Sequence, residues 1–502
     1  MFLRRFSRSA RRLQNIPKGV KGEDGPPVDA NGLYWGKFTK EEYEEAKKSV
    51  AEQIKRLEQS IKGDTNVREN LGQMPQFPMR DANVNVSSLP ELLAQTIKTT
   101  GPISLSAFMR QCLTHPEYGY YTTRDPLDTA TGDFVTSPEI SSMFGEMIGM
   151  WLFTVWQQQG SPKKIRLVEF GPGKGTLMHD LVTSFYKFAS KVGVEAEIVM
   201  IEASPVLRQK QWMALCTEDN AMVHDDANNW DSSVTKWGWP IKWVNTEKEI
   251  DHADGVANYV FAHEFFDALP IKSFERTEDG WREFVVEHTP SVDNTQPKLE
   301  SASPAENEKH DPLLDTEFHL TVSPKETPSS LIPKFSSRFK DLPVGSRIEI
   351  CTDAELYLMK MVQLLTPTTG AVLLMDYGID TDLPPENSLR GIYQHKFVSP
   401  FAKPGDVDLS VDVDFRALKL LGEKHCDVYG AVTQGDWLHT LGLGYRVQQL
   451  LDRNQEKPEV QDVIYGAYRR LTDPEQMGKA YKFMAMLPSG SKTPVGFGGS
   501  YE

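Results

Sequence analysis

Apolar positions along this chain change their period several times, and the changes mark out its elements. In IRLVEFGPGKGTL, residues 165–177, a nearly continuous apolar run breaks into three glycines spaced by two. A short apolar run bounded by turn residues reads as a buried strand, and a helix follows over about 175–190. The alternation continues with strand 196–202 (AEIVMIE), helix 204–216, and strands 241–245 (IKWVN) and 255–262 (GVANYVFA). Strands and helices at this spacing predict an α/β fold, a mostly parallel sheet with helices on both faces. Upstream, TKEEYEEAKKSVAEQIKRLEQSIK (39–62) is a charged helix rich in i,i+4 pairs. Two helices broken at Gly101-Pro102 and an apolar helix over 139–158 follow. The rhythm breaks over 271–350, where IKSFER, WREFVVEH, FHLTV and SRIEI predict an antiparallel insertion around a polar, disordered segment, 289–313. It resumes with helix 353–365 and strand 370–376 (GAVLLMD), and 405–485 adds helices and a hairpin. The expected organisation is therefore a leader and linker (1–37), a helical N-terminal region (38–158), the first part of the core (159–270), and the insertion (271–350). The rest of the core with C-terminal additions (351–487) and a flexible tail (488–502) complete it.

Composition and charge narrow the class. With 39% apolar and 25% charged residues in 502, the chain has the make-up of an ordinary folded protein that can bury a full core. Cys112, Cys216, Cys351 and Cys426 are far apart, which argues against a disulfide framework or zinc knuckle and fits a reducing compartment. The first 22 residues, MFLRRFSRSARRLQNIPKGVKG, carry five arginines, two lysines and no acid. On a helix the arginines fall on one side and Phe2, Leu3, Phe6 and Leu13 toward the other, the pattern of a mitochondrial transit peptide. A basic arm for nucleic acid is the alternative. Without those seven charges the formal balance of −15 becomes −22, a poor match to nucleic acid or anionic membranes. No apolar run approaches the roughly 18 residues needed to span a bilayer. The expectation is a soluble protein of the mitochondrial matrix; a homodimer is left open.

The glycine turn holds the first candidate chemistry. Gly171, Gly173 and Gly175, with Pro172 between the first two, depart from the dinucleotide fingerprint G-x-G-x-x-G. In an open α/β sheet such a turn lies beyond the carboxyl ends of the strands, where ligands bind. Glu202 ends the next strand, where a carboxylate can accept both hydroxyls of a ribose. Glu169, just ahead of the turn, would repel a pyrophosphate but suits the ammonium and sulfonium of S-adenosylmethionine. Lys174 alone favours phosphate. Glycines at a tight strand–helix turn can also be purely structural, and a nicotinamide oxidoreductase is a weaker reading.

The second candidate is VFAHEFFDALP, 260–270, where Glu264 and Asp267 stand at the mouth of the fourth strand. Two acids beside a cationic donor suit a guanidinium, which carries five N–H donors and stays charged. Opposing two positive charges at 4 Å costs roughly 4 kcal/mol at an effective dielectric of 20, which two carboxylates can offset. The bland reading makes Glu264 a cap for a following helix and Asp267 a turn residue. Asp376 and Tyr377 in LLMDYG either border the substrate channel or make a turn with Gly378 at positive φ. The acids of DVDLSVDVDF read as an exposed strand rather than as a metal site, so no metal is expected.

These strings together resemble the MidA-like methyltransferases. The resemblance spans roughly 88–485 and is carried by GPISLSAFMRQCLTHPEYGYY, GDFVTSPEISSMFGE, VEFGPGKGTL, AHEFFDALP, LLMDYG and RGIYQHKFVSPFAKPGDVDLSVDVDF. It implies a seven-stranded class I (Rossmann-like) core with S-adenosylmethionine as cofactor. It further implies symmetric dimethylation of an arginine in a 49-kDa-type subunit of respiratory complex I, during assembly of that complex. By position it puts Gly171, Gly173, Gly175 and Glu169 against the donor, Glu202 on its ribose, and Glu264, then Asp267, on the substrate guanidinium. His395 and Lys396 are suggestive only through the family string. Thr136 and Ser137, with Glu139, could close over the donor; plain capping by Ser137 before Pro138 is the alternative. A largely non-catalytic assembly chaperone that keeps its donor-binding fold is the second functional reading.

Overall fold

The computed structural model describes residues 86–123, 136–250, 255–290 and 316–500. The leader, the helix expected over 39–62 and nearly all of the polar segment 289–313 lie outside the described residues.

Seven strands form the heart of the largest sheet: β1 (Lys164–Phe170), β2 (Glu195–Ile201), β3 (Pro240–Val244), β4 (Ala257–His263), β5 (Ala371–Ile379), β6 (Asp427–Thr433) and β7 (Tyr481–Leu487). They lie in the order β6-β7-β5-β4-β1-β2-β3, and two short strands, Trp230–Val234 and Val223–Asp225, extend the β3 edge. The strands from β5 to β3 are parallel, whereas β7 runs antiparallel to both its neighbours. Parallel strands are covered on both faces and so read as unbroken apolar runs. All seven residues of β4 are buried, and six of the seven in β1.

Each face has its own core. Helices Ser142–Gln158 and Thr176–Ala189 pack on one face around Trp151, Phe185, Trp243 and Trp437. Helices Thr352–Gln363 and Phe415–Gly422 cover the other, around Phe170, Leu358, Met361 and Phe415. Among the described residues all four cysteines are free, no helix is long and apolar enough to cross a membrane, and no acid, His or Cys cluster is placed to hold a metal.

The insertion strands Lys272–Thr277, Gly280–His288, Phe318–Val322 and Arg347–Ile350 pair antiparallel, as expected. The two-residue strand Ile103–Ser104 joins them through Ile103 opposite Val286, so the N-terminal helices Leu89–Thr100 and Leu105–Thr114 pack on this sheet. Two expectations need correction. The strands of 405–485 make no added hairpin: β6 and β7 belong to the central sheet, and four helices separate them. Nor is DVDLSVDVDF an exposed strand. Asp408–Ser410 is buried within a three-stranded sheet, Asp412 pairs with Arg390 at 2.8 Å, and Asp414 caps helix Phe415–Gly422 through the Ala417 N–H.

Candidate active site

Strand order reverses between β1 and β4, and the crevice this opens at the carboxyl edge of the sheet holds a cavity of about 460 Å³. The glycine turn forms one wall. Gly171, Gly173 and Gly175 all have left-handed backbones, at φ 63°, 53° and 80°. A Cβ on Gly171 would also come within 3.1 Å of Phe265 Cδ2, so this turn admits glycine best on two counts. The Gly175 N–H closes the turn on the Pro172 carbonyl at 2.8 Å and leads into helix Thr176–Ala189.

Gln211, fully buried on the helix after β2, ties this turn to Glu202. Its Nε2 donates to the Gly173 carbonyl at 2.7 Å and to Glu202 Oε2 at 3.2 Å, while its Oε1 accepts from Trp243 Nε1 at 2.9 Å. Glu202 Oε1 accepts the Ser204 N–H at 2.7 Å. Burial pushes the Glu202 carboxyl up to about 7, against the pull of the Ser204 and Gln211 hydrogen bonds and the Arg208 charge. Lys174 is not left to an anion: it pairs with Glu139 at 3.4 Å, and Thr176 Oγ1 donates to the same carboxylate. Glu139 thereby fastens the short helix Ser137–Ile140 to the glycine turn.

Thr136 and Glu139 line the cavity, but Ser137 does not. Ser137 is fully buried behind Glu264, with its Oγ 3.4 Å from Gln434 Oε1 and its N–H on the Glu264 carboxylate. It is no N-cap either: Thr136 holds that position without a side-chain bond, and Ser141 caps the next helix through the Met143 N–H.

The opposite wall is acidic. Glu169 is 2% exposed, its Oε2 has no hydrogen-bond partner, and burial holds its carboxyl well above the usual range. Glu264 follows β4 with a left-handed backbone, φ 49°, its N–H fixed on the Met375 carbonyl at 2.9 Å. Such a conformation in a residue with a side chain is strained, and strain of this kind gathers at functional sites.

No helix follows Glu264. The N–H groups of Phe266 and Asp267 donate instead to Asp376 Oδ2, at 3.0 and 3.3 Å. Asp376 thus supports the turn rather than bordering the cavity, and the capping reading of Glu264 falls. Tyr377 donates its hydroxyl to Asp267 Oδ2 at 2.7 Å, and Gly378 continues β5 rather than turning.

Glu264 Oε1 and Asp267 Oδ1 are buried, face no hydrogen-bond partner, and belong to residues that line the same cavity as the glycine turn. Burial, then the Asp267 charge, pushes the Glu264 carboxyl up to about 8. β7 brings Tyr481 to this point because it runs antiparallel: its first residue registers against Tyr377 and hydrogen-bonds Glu264. The two cations on the cavity wall, Arg110 and Lys174, are each engaged by a carboxylate, Asp353 at 2.6 Å and Glu139. Burial raises the remaining acids, Glu169, Glu202, Glu264 and Asp267, so that they ionise most readily beside a bound cation. His395 lies away from it on an exposed hairpin.

Tyr121, Gln211, Asp408 and Tyr481 are site residues that sequence reasoning missed. Tyr121 and Asp408 line the cavity, Gln211 braces it, and Tyr481 holds Glu264. Only Asp408 carried a signal, as an acid inside an alternating apolar string.

The wall fits S-adenosylmethionine: an orphaned buried carboxylate for a cation, a glycine cradle in which a Cβ at Gly171 would press on Phe265, and a braced carboxylate for ribose hydroxyls. A family model described as "Putative S-adenosyl-L-methionine-dependent methyltransferase" matches residues 147–432. "Protein arginine methyltransferase NDUFAF7, mitochondrial" of Rattus norvegicus is 33% identical over 407 residues, 80% of this chain and 85% of its own length. Its homolog in Drosophila melanogaster is 33% identical over 406 residues, with 80% and 85% covered. Among solved structures, a COG1565 superfamily member from Burkholderia thailandensis bound to S-adenosyl-homocysteine shares the fold. Its TM-score is 0.59 at 21% identity, covering 81% of this chain and 93% of that one. The order β6-β7-β5-β4-β1-β2-β3 with β7 reversed, the glycine cradle and the match of the family model together place this chain in the MidA-like family of S-adenosylmethionine-dependent methyltransferases.

Proposed function

We propose that this protein methylates an arginine side chain of a protein substrate in mitochondria. The observation that carries the reading is the pair Glu264 and Asp267, each with an unpartnered buried carboxylate oxygen, on the wall of the cavity that the glycine turn also lines. Two such groups are costly to bury unless a cation with several N–H donors meets them, and a guanidinium is such a cation. The relatives named as protein arginine methyltransferases support the same substrate class.

S-adenosylmethionine, when bound, supplies an electrophilic methyl group on a sulfonium. Gly171, Pro172, Gly173 and Gly175 cradle it, Glu169 answers its positive charge, Glu202 takes its ribose, and Thr136 closes the side facing helix Ser137–Ile140. Glu264 and Asp267 fix the guanidinium plane and neutralise its charge. Glu264, ionised beside the guanidinium, accepts the proton that the attacking nitrogen loses. Most of the rate enhancement comes from positioning and from this fixed field, because the methyl is already activated.

The finer reading is symmetric dimethylation of a 49-kDa-type subunit of complex I in the matrix. Incubation with isotope-labelled donor and a mitochondrial matrix extract, followed by mass spectrometry of the labelled band, tests it. Label on an arginine of that subunit is expected. Donor binding without label on any arginine removes the transferase reading and leaves an assembly chaperone.

A further inference from the structure

Behind the cavity wall the fold joins two strings of the sequence, LLMDYG and RGIYQHKFVSPFAKPGDVDLSVDVDF. Tyr377, from the first, donates its hydroxyl to Asp267 Oδ2 at 2.7 Å. Arg390, from the second, opens the strand Arg390–Tyr393 and lays its guanidinium over the Tyr377 ring, 4.4 Å from the centroid. Neither residue lines the cavity that Asp267 lines.

Arg390 is itself held. Its Nη2 donates to Asp412 Oδ1 at 2.8 Å, and the Asp412 N–H donates to Ser388 Oγ at 3.0 Å. Ser388 gives both its N–H and its hydroxyl to Glu349, a buried acid of the insertion strand Arg347–Ile350. A run of polar contacts therefore leads from the insertion to the substrate acid.

The two acids of the site differ in what opposes their burial. Burial pushes the Asp267 carboxyl up, and the Tyr377 hydrogen bond and then the Arg390 charge pull it back. At Glu264, burial and the Asp267 charge are opposed chiefly by hydrogen bonds from Tyr481 and the Ser137 N–H. A cation on the face of a phenol is attracted to it, and linked polar groups polarise one another. Asp267 thus has a cation set behind it, one phenol away.

We propose that Arg390 is a positioning residue of the substrate site: acting through Tyr377, it holds Asp267 as the anchor for the substrate guanidinium. This deepens, and rests on, the arginine reading above. An anchor of this kind acts in binding, whereas proton transfer stays with Glu264, so the two acids separate in kinetics.

Arg390→Gln, Tyr377→Phe and the double variant test it in the full-length protein, with Asp412→Asn as a milder way to loosen Arg390. Calorimetry reads the affinity for donor and for a glycine-flanked arginine peptide; steady-state rates give kcat and KM. For Arg390→Gln, peptide Kd and KM should rise about tenfold while kcat at saturating peptide and the donor Kd stay within about twofold. Tyr377→Phe should do at least as much, and the double variant no more than Tyr377→Phe, because the two residues act in series. Asp412→Asn moves the same quantities less. Additive losses in the double variant overturn the proposal, as do unchanged peptide affinity in Arg390→Gln or a fall in kcat with peptide KM unmoved. Donor binding lost along with peptide binding, in Asp412→Asn as in Arg390→Gln, makes Arg390 a folding element and overturns it too. Peptide affinities that shift as expected without wild-type turnover support the anchor and remove the transferase reading. No peptide binding by the wild type overturns both.

Discussion

His263 Nε2 lies 3.4 Å from Glu264 Oε1, and neither atom meets a hydrogen-bond partner. Burial holds the imidazole down at about 3, so it is neutral at physiological pH. The Phe144 ring meets its edge at a centroid distance of 5.3 Å. A neutral imidazole adds no positive charge, so the ionised form of Glu264 depends on a bound cation rather than on His263.

Glu264→Gln separates binding from chemistry. The amide keeps the shape but has neither the charge nor the proton affinity of the carboxylate. Loss of a positioned acid–base group typically costs 10²–10⁴-fold, so kcat should fall by roughly that much. Donor affinity measured by calorimetry should stay within about threefold, since the cradle and Glu202 are untouched. A large loss of donor affinity in this variant would remove the assigned role.

Glu202→Ala should act in the opposite sense. Hydrogen bonds to a charged group contribute about 1.5–3 kcal/mol net, so donor Kd should rise about ten- to a hundredfold. At saturating donor, kcat should change little. Titration of the donor together with steady-state rates checks both halves.

The pH dependence follows from burial. The profile of kcat/KM reports groups of the free enzyme. For the arginine substrate it should rise with pH and level off near the Glu264 value of about 8; for the donor, near the Glu202 value of about 7. Stability runs the other way. Both carboxyls bind protons more tightly folded than unfolded, so their stabilising contribution is complete below the ordinary 4.5 and is lost as pH rises through 7 to 8. The unliganded protein should lose thermal stability across that window, and Glu264→Gln should flatten part of the loss in a melting series.

Gly171→Ala and Gly193→Ala form a matched pair. Both positions have left-handed backbones, φ 63° and 65°, but a Cβ meets Phe265 at the first and nothing within 4 Å at the second. Each should lose about 1–2 kcal/mol of stability from the backbone alone. Only Gly171→Ala should also weaken donor binding, by calorimetry.

The sequence carries the parallel sheet well because buried parallel strands leave unbroken apolar runs, as in β1 and β4. It also exposes Glu169, Glu202 and Glu264, since each stands at or just beyond a strand's carboxyl end. What it hides is assembled from a distance. Tyr121 and Asp408 reach the cavity, and Tyr481 reaches Glu264, from three remote segments, and a lone tyrosine has no local period to betray it. Asp376 misleads for a related reason: its partners, the Phe266 and Asp267 N–H groups, lie on the neighbouring chain segment, out of reach of any local pattern. Ser137 misleads as a cap because Thr136, one residue earlier, holds the N-cap position and Ser137 is already helical.

β7 is threaded between β5 and β6, both of which precede it in the chain. Until its residues dock, two sheet margins stay unsatisfied and prone to sticking, and Glu264 lacks the phenol that anchors it. Competence for chemistry is thus tied to an intact C-terminal portion: a shortened polypeptide ending before Tyr481 has the cradle's residues but no finished reaction centre.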